Sequence, residues 1–242
     1  MNVFLSELIG TLLMVLLGNG VVANVVLKQT KGANGGWIVI TAGWAFAVAI
    51  AVYAAGWISG GHLNPAVTFG MWLYGSVSAA TAVLYVIAQC FGAFFGAILV
   101  WLFYKRHYDE TEDAGLILAT FSTAPAIRDY KWNLISEIIG TAVLVFGVLS
   151  IFNPNNGIAS GFGPFAVGVL VYSIGLSLGG ATGYAINPAR DFMPRIAHAL
   201  LPIKNKGRSD WQYAWIPIVG PLIGGGLGAL GYKMLLPLFA GH

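Results

Sequence analysis

The segment GYAINPARDF, Gly183–Phe192, places an arginine and an aspartate directly behind a long apolar stretch of the chain. An earlier segment, GGHLNPAVTF at Gly60–Phe69, repeats its Asn-Pro-Ala tripeptide but carries no Asp, Glu, Lys or Arg. Asn is a preferred N-cap residue and Pro is favoured at the first helical position, so each tripeptide predicts the start of a helix. One Asn-Pro pair is usually only a turn, but two copies in a chain this apolar indicate a shared function.

The composition is typical of an integral membrane protein. Of the 242 residues, 57% are hydrophobic and 9% are charged, whereas soluble domains carry roughly 25% charged residues. Residues 32–104 contain no Asp, Glu, Lys or Arg. As a single helix they would be about 110 Å long, against ~30 Å for the hydrocarbon core of a bilayer, so this segment must cross the membrane more than once.

The apolar segments predict an all-α integral membrane protein with six transmembrane helices and two re-entrant half-helices. Two pieces, at 64–74 and 187–199, begin with Asn-Pro-Ala and are too short to cross a bilayer, so we expect them to pack inside the protein or to line a cavity. We expect the first span to be retained in the mature protein rather than removed as a signal peptide. The six predicted spans are residues 3–27, 36–57, 81–104, 132–152, 162–179 and 211–236.

The chain also repeats itself. SELIGT at Ser6–Thr11 returns as SEIIGT at Ser136–Thr141, and an Asn-Pro-Ala follows in each half. Because each half contains three spans, an odd number, the second half must enter the membrane from the opposite side, which makes an inverted-topology repeat. We expect one domain over residues 1–242, with repeats at 1–105 and 132–242 joined by a loop at 106–131.

The two predicted helix starts have a physical consequence for what lies between them. Each carries a partial positive charge of about +0.5, and its cap leaves the Asn side-chain NH₂ free to face an adjoining space. If the half-helices meet head to head near the membrane midplane, a hydroxyl or water oxygen could accept hydrogen bonds from both Asn64 and Asn187. Such a positive midplane would repel cations and would interrupt a proton relay along water.

Three other classes of protein fit the sequence less well. Inverted repeats also build coupled secondary transporters, for which Glu7 and Glu137, the only acids within the long spans, would have to act as coupling groups or proton relays. An ion channel is opposed by the paired helix dipoles. No Gly-x-Ser-x-Gly or His-Glu-x-x-His motif points to an enzyme, so we expect no catalytic residue, metal or cofactor. The net charge of +3 without a basic run gives no sign of a nucleic-acid partner.

The repeated SELIGT and SEIIGT segments and the pair HLNPAV and INPARDF resemble the aquaporin (major intrinsic protein) family across the whole chain. Asp191 after the second motif, Arg195 four residues later and Pro217 in the last span are similar to the aquaglyceroporin branch, and above all to bacterial glycerol facilitators. The resemblance implies a right-handed helical bundle that forms a passive channel in the plasma membrane, assembled as a homotetramer. It implies glycerol and some water as solutes, with urea, dihydroxyacetone and undissociated lactic acid as further candidates.

The resemblance also implies roles for individual residues. The branch usually has Phe where Tyr184 stands, and the extra hydroxyl would either narrow the opening or add a polar contact. Trp44 could instead be an interfacial belt residue, and His62 could be a satisfied buried histidine. Asp191 and Arg195 stand four residues apart on one predicted helix, which fits a structural ion pair. The implied pore motifs are Asn64, Pro65, Ala66, Asn187, Pro188 and Ala189, and the implied selectivity filter is Trp44, Gly175, Tyr184 and Arg190. The implied pore-lining carbonyls and side chain belong to Gly61, His62, Leu63, Gly183 and Ala185. The implied supports of the re-entrant loops are Glu7 and Glu137.

Orientation in the membrane gives conflicting signals. Of the twelve basic residues, only Lys233 falls on the side of the termini, so the positive-inside rule would place the termini outside the cell. The family resemblance implies cytoplasmic termini, and we expect that orientation because the topology around the Asn-Pro-Ala motifs is shared. The eleven basic residues on the other side are Lys28, Lys31, Lys105, Arg106, Arg128, Lys131, Arg190, Arg195, Lys204, Lys206 and Arg208.

Overall fold

The computed structural model describes residues 1–158 and 161–239, and within these ranges the regular elements are all helical. Five of the helices are long and apolar enough to cross a membrane, and a sixth apolar helix is shorter. In chain order the α-helices are α1 (Asn2–Val26), α2 (Gly36–Ser59), α3 (Pro65–Tyr74), α4 (Ala79–Phe103), α5 (Lys105–Glu110), α6 (Ala114–Ala119), α7 (Tyr130–Ile151), α8 (Gly163–Leu178), α9 (Pro188–Leu200) and α10 (Ile216–Phe239).

The shorter helix, α8, takes the place of the predicted span at 162–179. Its 16 residues extend about 24 Å, somewhat less than the ~30 Å hydrocarbon core. Just before its start, the Gly161 carbonyl accepts a hydrogen bond from the Tyr53 hydroxyl at 2.7 Å. Just beyond its end, the Ala181 carbonyl accepts one from the Ala126 amide at 3.0 Å, in the loop between α6 and α7. The two ends of α8 therefore lie on opposite faces of the bundle, and α8 is the sixth crossing.

The two faces of the bundle carry different segments. Six crossings bring both ends of the described chain to one side, which we call the terminal face. The other side, the loop face, carries residues 27–35, 104–129 and 201–215. Hydrogen bonds hold these loops together: the Lys28 amide donates to Thr111 Oγ1 at 3.0 Å, and Asn205 Nδ2 donates to the Thr111 carbonyl at 3.3 Å.

Two parts of the loop face differ from the sequence-based prediction. The last span was predicted to begin at residue 211, but α10 begins at Ile216 and residues 211–215 form turns. The prediction failed there because the aromatic residues Trp211, Tyr213 and Trp215 extend the apolar pattern of the span. The loop predicted at 106–131 also contains most of α5 and all of α6.

The long helices approach closely where glycines repeat every four residues. A side chain at Gly92 or Gly96 of α4 would collide with backbone of α1. In the second half, a side chain at Gly224 or Gly228 of α10 would collide with backbone of α7. Small residues at this spacing let helix backbones pack closely in a membrane. The pairs α1–α4 and α7–α10 are therefore built in the same way.

The half-helices complete the core of the bundle. Helix α3 packs mainly against α10 of the other half, and α9 packs mainly against α4. Each begins as the sequence predicted, with an extended Asn followed by Pro at the first helical position. Asn64 Oδ1 accepts the Ala66 amide at 2.8 Å, and Asn187 Oδ1 accepts the Ala189 amide at 3.1 Å.

Candidate functional site

The two half-helices meet head to head through reciprocal hydrogen bonds. Asn64 Nδ2 donates to the Ile186 carbonyl at 2.7 Å, and Asn187 Nδ2 donates to the Leu63 carbonyl at 2.9 Å. We expected the whole NH₂ of each side chain to be free; instead one of its two hydrogens is used across the interface. The second hydrogen of each remains for a partner in the adjoining space.

That space is a cavity of about 890 Å³, which we call the pore cavity, and both asparagines line it. At one end it reaches the terminal face near Trp57 and Asn155; at the other it ends at Trp44, Tyr184 and Arg190. Its wall combines apolar side chains with the backbone of the two segments that precede the half-helices. The members of that wall include Val48, Val52, Val67, Leu144, Val148 and Val171 among the apolar side chains, and residues 60–64 and 184–187 in the two segments.

The narrow end of the pore cavity places a cation against an aromatic face. The Arg190 guanidinium lies over the Trp44 ring, 4.1 Å from its centroid. The amide of Arg190 donates to Asn187 Oδ1 at 3.2 Å, so the helix cap also fixes the position of the arginine. Arg190 Nη1 and Trp44 Nε1 are buried without a hydrogen-bond partner among the described residues. Buried donors are normally satisfied, so these two lack the partner that such groups usually have.

Tyr184 and Gly175 form the second side of this narrow end. A side chain at Gly175 would lie 3.0 Å from Tyr184 Cζ and 3.1 Å from its hydroxyl oxygen. Gly175 therefore makes room for the ring and does not itself line the pore cavity. The Tyr184 hydroxyl is buried against this part of the wall, without a hydrogen-bond partner among the described residues. The Tyr184 and Trp37 rings pack in a T-shaped arrangement with centroids 5.8 Å apart, and Trp37 Nε1 donates to the Gly175 carbonyl at 2.9 Å.

Glu7 holds the segment before the first half-helix. Its Oε1 accepts the His62 amide at 2.9 Å and the Ser59 hydroxyl at 2.6 Å. Its Oε2 accepts the Leu63 amide at 2.8 Å and Gln89 Nε2 at 2.8 Å. With these amides directed at the buried carboxylate, the segment keeps an irregular course in which Leu63 adopts a left-handed φ of 52°. A carboxylate that accepts four hydrogen bonds acts as an anchor of the backbone.

Glu137 does the same for the segment before the second half-helix. Its Oε1 accepts the Ala185 amide at 3.0 Å and the Thr182 hydroxyl at 2.7 Å, and its Oε2 accepts the Ile186 amide at 2.9 Å. Tyr184 and Ile186 have left-handed φ values of 39° and 41°. Such conformations are strained for residues other than Gly and persist only when the surroundings fix them. The three hydrogen bonds supply that constraint.

Four of the five residues predicted to line the pore with a carbonyl or side chain do line the pore cavity. They are Gly61, His62, Leu63 and Ala185, and the fifth, Gly183, is not part of its wall. The Leu63 carbonyl is already bound by Asn187, so a solute there would share it. The ring of His62 reaches the pore cavity, while its Nδ1 lies 3.2 Å from Thr68 Oγ1.

The predicted ion pair between Asp191 and Arg195 is present, at 2.8 Å and completely buried. Asp191 Oδ2 accepts both the amide and the hydroxyl of Thr123, at 2.6 and 2.7 Å. Arg195 donates to the carbonyls of Thr123, Ser209 and Asp210. The pair therefore ties two loops of the loop face to α9, and both residues lie away from the pore cavity.

The polar partners of these anchors were not found from the sequence. They are Ser59, Gln89, Thr123 and Thr182, and single polar residues at such positions give no local signal. Within residues 1–158 and 161–239, no group of three His, Cys, Asp or Glu side chains could hold a metal ion.

A bundle of six membrane-crossing helices, with two half-helices whose starts meet beside a cavity, defines a membrane channel. The chain belongs to the Major intrinsic protein family, whose model matches residues 1–232. It is 58% identical to the probable glycerol uptake facilitator protein of Thermotoga maritima, over 97% of this chain and 100% of that protein. It is 56% identical to the glycerol uptake facilitator protein of Streptococcus pneumoniae R6, over 97% and 99%. The X-ray structure of the aquaglyceroporin from Plasmodium falciparum matches with a TM-score of 0.90 and 28% identity, over 100% of this chain and 99% of that one.

Proposed function

We propose that the protein is a passive channel for glycerol in the plasma membrane, with some permeability to water. The observation that carries this proposal is the pore cavity itself, which runs past Asn64 and Asn187 and ends at Arg190 and Trp44. A polyol has an apolar carbon side and a hydroxyl side, which match the apolar side chains and the polar groups of this wall. The names of the relatives, glycerol uptake facilitators, support the same solute.

Each part of the proposed pathway has a physical role. The free amide hydrogens of Asn64 and Asn187 donate to solute oxygens in turn. Arg190 supplies fixed donors and a positive charge that rejects cations, and Trp44 receives the carbon backbone. The half-helix dipoles add to the positive potential at the midplane, so ions and protons are excluded while neutral solutes pass. Urea, dihydroxyacetone and undissociated lactic acid are small and neutral and belong to the same candidate class.

We also propose that residues 1–105 and 132–242 form an inverted repeat within one channel domain. The proposal is supported by residues at matching positions of the two repeats that have the same structural role. Glu7 and Glu137 each anchor the segment before a half-helix. The asparagine bonds are reciprocal, and the glycine pairs of α4 and α10 are equivalent. Assembly as a homotetramer, with one pore in each subunit and cytoplasmic termini, is proposed from membership of the family.

Stopped-flow light scattering on proteoliposomes tests the function. We expect glycerol flux well above that of protein-free vesicles, and unchanged by an imposed pH or sodium gradient. Uphill glycerol uptake driven by either gradient would instead establish a coupled transporter.

A matched pair of variants on α8 tests whether the pore cavity is the pathway. Val171→Trp places a large ring in the pore cavity, which Val171 lines. Val169→Trp places the same ring on the outer surface, where Val169 is 49% exposed. We expect flux to be lost in the first variant and retained in the second. Equal flux in both would place the pathway elsewhere.

A further inference from the structure

A second cavity, of about 580 Å³, lies on the outer surface of the bundle behind the two half-helices. We call it the membrane groove. Its floor is formed by the backs of α3 and α9, including Phe69 and Phe192, and one wall is formed by a face of α4 from Ala79 to Cys90. The fronts of the same half-helices line the pore cavity, through residues such as Met71 and Arg190. The membrane groove and the pore cavity are thus separated by the thickness of one helix.

The membrane groove has almost no polar groups that could hydrogen-bond to water. None of its lining residues is charged, and the hydroxyl of Thr68 is already bonded to Gln89 Nε2 at 2.9 Å. An apolar space of this kind stays dry, because a water molecule needs several polar partners to be held. The occupant that suits it is hydrocarbon.

The surroundings of the membrane groove indicate where that hydrocarbon comes from. Val83, Ile87 and Trp72 on its rim are 61%, 45% and 41% exposed, so the groove opens onto the surface that faces the bilayer. From Ala79 to Cys90 it follows α4 for about 16 Å, which is close to half of the ~30 Å hydrocarbon core, the depth of one leaflet. We propose that the membrane groove is a binding site for one acyl chain of a phospholipid.

An acyl chain in this position supports the pore from behind. It packs against α3 and α9 on the side opposite to Asn64 and Arg190. Thr68 is buried on the groove side of α3, and its Oγ1 lies 3.2 Å from Nδ1 of His62, whose ring reaches the pore cavity. The membrane groove therefore borders a residue, Thr68, that contacts the pore lining through His62.

Cys90 provides a probe, because it is the sole cysteine of the chain and lines the membrane groove. The protein is labelled there with a bimane thiol reagent and reconstituted in vesicles of phosphatidylcholine with brominated acyl chains. The matched control is Cys90→Ala with Phe95→Cys, which labels an exposed position of α4 outside the groove. A second groove position, Cys90→Ala with Ala82→Cys, serves if the label at Cys90 disturbs folding.

If an acyl chain occupies the membrane groove, brominated lipid quenches both groove labels by at least as large a factor as the label at position 95, and aqueous iodide quenches neither. Quenching of the groove labels by iodide would show water there and overturn the proposal. Protection from both quenchers would show that a second copy of the chain covers the groove, and would also overturn it. Fluorescence quenching does not depend on glycerol transport, so the proposal of a lipid site is tested independently of the proposed function.

Discussion

At the narrow end of the pore cavity, the width of the opening depends on residue 175 being a glycine, which has no side chain. A methyl group there would lie 2.8 Å from Thr41 Cγ2 and 3.0 Å from Tyr184 Cζ. Overpacking of this kind costs about 1–3 kcal/mol, and the Tyr184 ring can relieve it by moving into the passage. Since about 1.4 kcal/mol of added barrier is a factor of about ten in rate, we expect Gly175→Ala to lower glycerol flux by about tenfold in stopped-flow measurements. Gly180→Ala is the control, because a side chain there would contact nothing within 4 Å; equal flux in the two variants would contradict the prediction.

The Tyr184 hydroxyl offers a second test at the residue scale. The sequence left open whether this hydroxyl narrows the opening or contacts the solute, but its position beside Gly175 directs it into the wall. We therefore expect Tyr184→Phe to leave the ratio of glycerol flux to water flux unchanged. Because the variant removes a buried hydroxyl that has no described partner, the melting temperature should stay the same or rise. A clear change in the flux ratio would place the hydroxyl in the pathway.

Arg190 combines two properties that variants can separate. Arg190→Ala removes both the guanidinium donors and the positive charge, so we expect a wider opening, faster solute flux and entry of small cations such as methylammonium. Arg190→Lys keeps the charge but loses the planar fork of donors, so cations should still be rejected while discrimination among neutral solutes weakens. Proteoliposome flux with glycerol, water and methylammonium measures each property. Methylammonium entry in the Lys variant equal to that in the Ala variant would show that charge does not exclude cations here.

At the scale of elements, the re-entrant segments depend on their buried carboxylates. Glu137→Gln replaces one acceptor oxygen by an NH₂ group, so at least one of the Ala185 amide, the Ile186 amide and the Thr182 hydroxyl loses its acceptor. Leaving a buried donor unsatisfied costs about 1–3 kcal/mol, and it frees a segment whose φ values are strained. We expect a lower melting temperature and lower glycerol flux. The same change at Glu110, in the short helix α5 of the loop face, is the control. A Glu137→Gln variant with the melting temperature and glycerol flux of the wild type would show that Glu137 does not anchor the segment.

The elements also show which features a sequence can reveal. The half-helix starts could be predicted because the chemistry of an Asn-Pro cap is local, and the Asp191–Arg195 pair because its spacing lies within one helix. The partners of Glu7 could not, since Ser59 and Gln89 are 52 and 82 residues away along the chain. The predicted start of α10 was too early because hydropathy alone does not distinguish a membrane span from an aromatic-rich turn beside it.

At the scale of the whole molecule, several of the loop-face cations make structural contacts. Lys206 Nζ donates to the carbonyls of His198, Ala199 and Leu201 at the end of α9. Lys105 and Arg128 are among the cations that are paired with carboxylates. The hydrogen bond from Lys105 holds the pKa of Asp109 below its ordinary value, and the bond to Asp210 raises the pKa of Arg128. Arg128 thereby joins two loops of the loop face, Lys206 ties one of them to the end of α9, and the Lys105 pair lies within α5.

This structural role bears on orientation, because the positive-inside rule counts basic residues whatever they contact. A count that includes residues with structural contacts, such as Arg128, Arg195 and Lys206, is a weaker guide to the side on which they lie. We therefore expect the termini to be cytoplasmic, as family membership implies, and a protease-sensitive tag at the C-terminus should resist digestion in intact cells and be cut after lysis. The same tag inserted after Glu112, an exposed residue of the loop face, should be cut in intact cells. Cleavage of only the C-terminal tag in intact cells would reverse the orientation. It would leave the pore cavity and its proposed selectivity as they are, because the walls that reject cations do not depend on which face is outside.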